Sequence, residues 1–85
     1  MGVIRSSLHT ECERLYDAKA AQLVLYGCAL GLSRTEAEDV LQETFLAVLQ
    51  LEAPPERLDR YCVRVFRNRA LNYRRGMLRR LVREL

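Results

Sequence analysis

Two stretches of this chain carry side chains that could recognise other macromolecules. Residues 37–46 place Asp39, Gln42 and Glu43 among apolar residues, and residues 60–75 combine six arginines with two asparagines and three aromatics. Carboxylates steer and pair with basic protein surfaces, whereas arginines make forked contacts to phosphates and base edges. The two stretches therefore indicate one surface for a protein partner and another for a nucleic acid.

The net charge of +3 results from two unequal parts of the chain. Residues 1–56 hold four basic and nine acidic side chains, a net charge of −5, whereas residues 57–85 hold ten arginines and two acids, a net charge of +8. A basic segment of this density attracts polyanions. A solvated charged face is the alternative, but few acids are interspersed among these arginines.

Other kinds of function leave little trace in the sequence. The single histidine, His9, lies near the N-terminus, and no glycine-rich phosphate loop is present. We therefore expect neither an enzyme nor a bound cofactor. No apolar run approaches the roughly 18 residues needed to cross a bilayer, and the first ten residues do not resemble a signal peptide. We expect a cytoplasmic protein without membrane insertion, folded as one domain over residues 1–85.

The three cysteines, Cys12, Cys28 and Cys62, form no CxxC pair. Each lies among apolar neighbours, which predicts buried free thiols in a reducing compartment. A zinc site built from His9 and the cysteines is the alternative. It lacks the closely spaced second ligand pair of known zinc motifs, so we expect no metal.

The periodicity of apolar residues predicts helices and no strand. A first helix is predicted over residues 5–30, with Gly31 as its stop. Ser33 and Glu36 have the spacing of a capping box, which predicts the start of a second helix, ended by Pro54 and Pro55. The second helix should bury a stripe of six residues: Ala37, Val40, Leu41, Thr44, Phe45 and Val48. On its opposite side should lie Asp39, Gln42, Glu43, Leu46 and Gln50.

A third helix is predicted from Glu56 or Arg57 into the C-terminal tail. Its apolar arc contains Leu58, Tyr61, Cys62, Val65, Phe66, Tyr73 and Met77. Its other side carries Arg57, Arg60, Arg64, Arg67, Arg74 and Arg75, with Asn68 at the edge. Such segregation is typical of a nucleic-acid face rather than of scattered solubilising charge.

At these residues the chain resembles region 2 of the sigma-70 family of bacterial transcription initiation factors, in particular the extracytoplasmic-function (ECF) group. The resemblance runs from about Glu11 to Arg80. Residues 37–45 are similar to the family's core-binding helix, and residues 67–75 to its promoter-reading helix. The resemblance implies an all-α bundle of three to four helices of the sigma region 2 type.

For the protein partner, the resemblance implies core RNA polymerase. In the family, the matching residues dock on the clamp helices of the β′ subunit, and they correspond here to Asp39, Gln42 and Glu43. These are the same side chains that the helical period places on the outer face with Leu46. An exposed acidic face without a partner is the alternative.

For the nucleic acid, the resemblance implies promoter DNA at the minus-ten element, with a flipped base of the non-template strand held under the loop at about residues 51–58. Arg64, Asn68 and Asn72 would flank that base, and an asparagine amide can both donate to and accept from a base edge. Phosphate contacts would come from Arg67, Arg69, Arg74 and Arg75, with Arg60 on the same face. Tyr61, Phe66 and Tyr73 could stack bases, although their position on the apolar arc favours core packing.

The resemblance also implies regulation by an anti-sigma factor as a further partner. Nothing in the chain resembles region 4, the helix-turn-helix that reads the minus-thirty-five element. Two other functions remain as alternatives: a region-2-like regulator without productive promoter melting, and a general helical DNA-binding protein. Asn68 and Asn72 favour the initiation factor, because phosphate binding alone needs only the arginines.

Overall fold

The computed structural model describes residues 2–85, with side chains from Ser7 onward. Three helices account for this part of the chain: α1 (Gly2–Ala29), α2 (Arg34–Leu49) and α3 (Leu58–Glu84). No strand occurs within the described residues. The predicted all-α fold and all three predicted helices are therefore confirmed, and α1 begins three residues earlier than predicted.

Helix α1 ends at Ala29, and Gly31 follows it as the predicted stop. The Gly31 φ angle of 106° lies in the left-handed region that glycine adopts without strain. The Leu32 N–H donates to the Gly27 carbonyl at 3.1 Å, and the Gly31 N–H donates to the Cys28 carbonyl at 3.0 Å. This pair of bonds is a Schellman motif, and the Leu32 side chain that follows it is buried.

Helix α2 begins at the predicted capping box. The Ser33 hydroxyl accepts from the Glu36 N–H at 3.1 Å, and the Glu36 carboxylate accepts from the Ser33 N–H at 2.7 Å. Hydrogen bonds from the Ser33 backbone, then from its side chain, lower the pKa of Glu36. Two amides that would otherwise lack partners are thus satisfied, which fixes the start of α2.

The end of α2 agrees with the loop predicted at about residues 51–58, but the prolines do not end the helix. The helix stops at Leu49, ahead of the two prolines, because the Gln50 N–H bonds to the Ala47 and Val48 carbonyls and tightens the last turn. Pro54 and Pro55 lie in the connecting segment instead. Helix α3 then starts at Leu58, after Arg57 in an extended conformation whose side chain makes no capping bond.

The core lies where the three helices meet. All six predicted stripe residues of α2 are buried, and Cys62, Phe66 and Ala70 of α3 pack against them. At Gly27, helix α1 lies close to both other helices, since a Cβ built there would lie 2.8 Å from the Ala37 Cβ and 3.1 Å from the Phe66 ring. Helix α1 can therefore touch both partners only with a glycine at this position.

The cysteine prediction is partly wrong. Cys12 and Cys62 are buried free thiols, but Cys28 is exposed. Cys28 follows the buried Gly27 by one residue, or about 100° around α1, which turns its side chain off the buried stripe.

None of the helices in the described part of the chain has the length and apolar character of a membrane span.

Candidate functional site

The outer face of α2 presents the predicted row of polar residues. Asp39, Gln42 and Glu43 are exposed, and Leu46 keeps 59% of its surface accessible. The opposite face is fully buried, and the one polar side chain in it, Thr44, donates its hydroxyl to the Val40 carbonyl at 2.8 Å. The buried face therefore holds the exposed row on a fixed helix, with a large apolar side chain among the acids.

The polar residues of α3 are all at the surface. The eight residues predicted to contact DNA are exposed, namely Arg60, Arg64, Arg67, Asn68, Arg69, Asn72, Arg74 and Arg75. They do not share one environment, however. Because Cys62, Phe66 and Ala70 face the core, the exposed residues lie either on the outer side of α3 or on one of its two flanks.

Arg69 lies on the flank next to α2. Its guanidinium is 3.8 Å from the Glu43 carboxylate, and both side chains are largely exposed. An exposed pair of this kind contributes about 0 to 1 kcal/mol to stability. Its main consequence is spatial, because it joins the acidic row of α2 to the basic helix and makes the two predicted surfaces neighbours.

The other flank of α3 lies over the turn between α1 and α2. A Cβ at Gly31 would be 3.2 Å from the Arg74 Nε, so the Arg74 side chain covers the C-terminal end of α1. A cation at that end is favoured by the partial negative charge of the last carbonyls. Arg74 therefore has an intramolecular role that the sequence did not reveal.

Tyr73, next to Arg74, contacts α2. A hydrogen bond from Tyr73 contributes to the lowered pKa of Glu36, whereas burial, followed by the charge of Glu36, raises the pKa of Tyr73. The ring is 37% exposed. The preference for core packing is therefore wrong at Tyr73.

The other two aromatics differ from each other. Phe66 is fully buried, as core packing predicts, and cannot stack a base. Tyr61 is half-buried against the core, and the Arg64 guanidinium lies 5.8 Å from its ring centroid. Tyr61 also lines a depression of about 370 Å³ below the loop between α2 and α3, together with Pro55, Glu56, Arg57, Arg60 and Arg64.

A second hollow was not predicted. It is a groove between α1 and the first half of α3 to which Lys19 and Val63 contribute, and neither was a candidate residue. Its α1 side could have been found from the four-residue spacing of Leu15, Lys19 and Leu23. Its α3 side depends on how the helices cross.

The described residues contain no cluster of three or more histidine, cysteine or acidic side chains that could hold a metal ion.

Comparison with known families adds an independent finding. The family model described as Sigma-70 region 2 matches residues 15–81, which include the outer row of α2 and all eight basic and amide candidates on α3. Neither the comparison with curated proteins nor that with solved structures finds a match.

Proposed function

The chain belongs to the sigma-70 region 2 family, and we propose that it is the polymerase-binding and promoter-opening unit of an ECF-type transcription initiation factor. Sigma-70 region 2 domains in general bind core RNA polymerase and recognise the promoter minus-ten element. The proposal extends to the β′ clamp helices, the non-template strand, and a unit that spans residues 1–85 and works in the cytoplasm under control of an anti-sigma factor.

The outer row of α2 is the observation that carries this proposal. It offers Asp39 and Glu43 for electrostatic steering, Gln42 for hydrogen bonds, and Leu46 for apolar burial. A helical partner with basic and apolar side chains fits this combination. Because the other face of α2 is buried, docking needs no rearrangement of the helix.

The outer face of α3 supports the DNA part of the proposal. Arg64, Asn68 and Arg75 lie on the side of α3 opposite its buried residues, at spacings of four and seven residues. Tyr61 offers a ring in the depression under the loop, and Arg64 lies over that ring. A base turned out of the duplex could stack there, while the arginines contact phosphates.

The second candidate function is a region-2-like regulator or a general helical DNA-binding protein that does not melt promoters. The arginine-rich face favours it as much as the first candidate. The exposed amides of Asn68 and Asn72 distinguish the two, because neutral amides add base reading but no attraction to phosphate.

The polymerase contact is tested with Gln42→Ala combined with Glu43→Lys. We expect binding to a β′ clamp-helix fragment to fall by about tenfold or more, because a steering charge is reversed and a hydrogen-bonding side chain is lost. Binding is measured by fluorescence anisotropy, and circular dichroism should show unchanged helix content.

Glu38→Lys is the matched control, since it makes the same charge change at an exposed position of α2 where Glu38 pairs with Arg34 at 3.7 Å. We expect it to bind the fragment nearly as the parent does. Unaltered binding by the double variant would show that polymerase docks elsewhere. An equal loss in the double variant and in Glu38→Lys would show that only net charge matters.

The DNA contact is tested in holoenzyme with Asn68→Ala. We expect a weaker preference among minus-ten sequences and an unchanged salt dependence, because the lost amide reads a base without releasing counterions. If Asn68→Ala retains the preference and opens promoters normally, base reading does not reside in this amide.

A further inference from the structure

The groove between α1 and α3 has an apolar floor. Leu15 and Leu23 of α1 face Cys62 and Val63 of α3 across a volume of about 470 Å³. Leu23 and Cys62 are buried, but Val63 keeps 42% of its surface exposed. Val63 therefore leaves apolar surface open to solvent at the floor of the groove.

The rim of the groove is basic. Lys19, Arg60, Arg64 and Arg67 surround the floor, and Asp59 at one end is the only acidic group of the lining. Asp59 pairs with Arg57 at 3.7 Å. Within the described part of the chain, none of the four rim cations forms an ion pair. Because the lining holds four cations and one acid, the rim carries a net positive charge.

The shape of the groove fits a helix. Leu15, Lys19 and Leu23 follow each other at four-residue intervals and span about 12 Å, or two helical turns. A helix laid along this line presents apolar residues at the matching interval to the floor, and its flanking positions reach the rim.

We infer that the groove is a docking site for an acidic amphipathic helix of a partner protein. Its leucine-like anchors would cover Leu15 and Val63, and its carboxylates would meet Lys19, Arg60, Arg64 and Arg67. A single-stranded nucleic acid is the less suitable occupant, because the floor has no aromatic ring on which a base could stack.

Occupation of the groove has a consequence for DNA. Arg60, Arg64 and Arg67 belong both to the rim and to the proposed DNA face, so the partner helix and promoter DNA would compete for them. This part of the inference rests on the proposed function, whereas docking of the helix does not.

The test uses the full 85-residue chain and a fluorescein-labelled helical peptide of about sixteen residues, with leucines on one face and glutamates on its flanks. A permuted peptide of identical composition has no apolar face. We expect the amphipathic peptide to bind about tenfold more tightly than the permuted one. Equal binding of both peptides would overturn the inference, because charge alone would explain it.

Two substitutions outside the predicted DNA set locate the contact. We expect Val63→Gln and Lys19→Glu each to weaken peptide binding by about three- to tenfold, the first through lost apolar burial and the second through charge reversal. Arg83→Glu makes the same charge change as Lys19→Glu outside the groove lining and should change affinity less than about twofold. Unchanged binding by Val63→Gln, with helix content intact by circular dichroism, would contradict the inference.

Single-stranded minus-ten DNA separates the occupants. We expect Val63→Gln and Lys19→Glu to leave its affinity nearly unchanged, and the amphipathic peptide to displace it from the parent chain. A parallel loss of DNA affinity in both variants would make the groove a nucleic-acid site and overturn the proposal. Simultaneous binding of peptide and DNA would show that the two do not compete for the rim arginines. None of these measurements uses polymerase, so their outcome does not depend on the result of the clamp-helix experiment.

Discussion

Helices α2 and α3 both present polar residues to solvent, but they hold them in different ways. Helix α2 has sixteen residues, a capping box and a buried stripe along its length, so its outer row is fixed by one continuous core contact. Helix α3 has twenty-seven residues, no side-chain cap at its start, and buried residues only between Cys62 and Ala70. Its arginines are accordingly divided among a partner helix, a turn and open solvent. A continuous row of exposed side chains therefore depends on a continuous buried face on the same helix.

Removal of the core contact that α3 does have should have the largest effect. Phe66→Ala should lower the free energy of unfolding by about 3 to 5 kcal/mol, because the ring is fully buried between α1 and α2. Leu81→Ala in the exposed tail of the same helix should change it by less than about 0.5 kcal/mol. Urea unfolding measures both, and similar losses in the two variants would mean that the tail is packed.

Cys62 tests the same core at a smaller scale. Cys62→Ser should destabilise by about 1 to 3 kcal/mol, because it places a hydroxyl among apolar groups. A bulky thiol reagent should modify the exposed Cys28 quickly and Cys62 only after denaturation. Rapid labelling of Cys62 in the native protein, located by mass spectrometry, would show that α3 opens from the bundle.

The same thiol predicts a pH dependence. Burial raises the pKa of Cys62 from 9.0 to about 12. The unfolded chain therefore releases this proton above pH 9 while the folded chain retains it, and stability should fall as the pH rises from about 9 towards 12. By pH 10 the loss attributable to Cys62 is about 1 kcal/mol. Urea titrations of the parent and Cys62→Ala at pH 8 and 10 should show a smaller decline in the variant.

The starts of the two helices offer a further contrast. Ser33→Ala should cost about 1 kcal/mol, because the Glu36 amide loses its acceptor. Arg57→Ser at the start of α3 should stabilise by about 0.5 to 1 kcal/mol, since it supplies a cap that the parent lacks and removes only an exposed ion pair. Thermal melts compare the two, and a destabilised Arg57→Ser variant would show that Arg57 has a structural role.

The smallest expected effect distinguishes arginines within α3. Arg75→Ala should reduce the salt slope of single-stranded DNA binding by about 0.7, the value of one phosphate contact. Arg74→Ala should reduce it less, because the Arg74 side chain lies against Gly31. Binding isotherms at several salt concentrations decide between them. Equal reductions would place both side chains on the DNA.

The sequence was sufficient for most features that one helix determines, with Cys28 as the exception. The buried stripe of α2, its capping box and the stop at Gly31 depend only on helical period and local hydrogen bonds, and all were predicted. Most of the positions that were wrong or missed depend on how helices cross. The exposure of Tyr73, the Arg69–Glu43 pair and the position of Arg74 over Gly31 each involve residues far apart in the chain.

The same limit applies to the candidate surfaces. Exposure of the outer row of α2 followed from the period, whereas the groove containing Lys19 and Val63 exists only because α1 and α3 lie side by side. Cys28 shows the limit within one helix, since apolar neighbours predicted burial and a rotation of one residue exposed it. The assignments to polymerase and DNA remain predictions.

The length of α3 has a hydrodynamic consequence. Residues 78–85 are all exposed, and the molecule measures 52 × 23 × 18 Å with a radius of gyration of 14.4 Å. A spherical fold of this size would have a radius of gyration of about 12 Å. Its elongated shape should therefore make the monomer elute early in size-exclusion chromatography, at an apparent mass above its 9.9 kDa. Sedimentation equilibrium, which is insensitive to shape, is the method that separates this elongated monomer from a dimer.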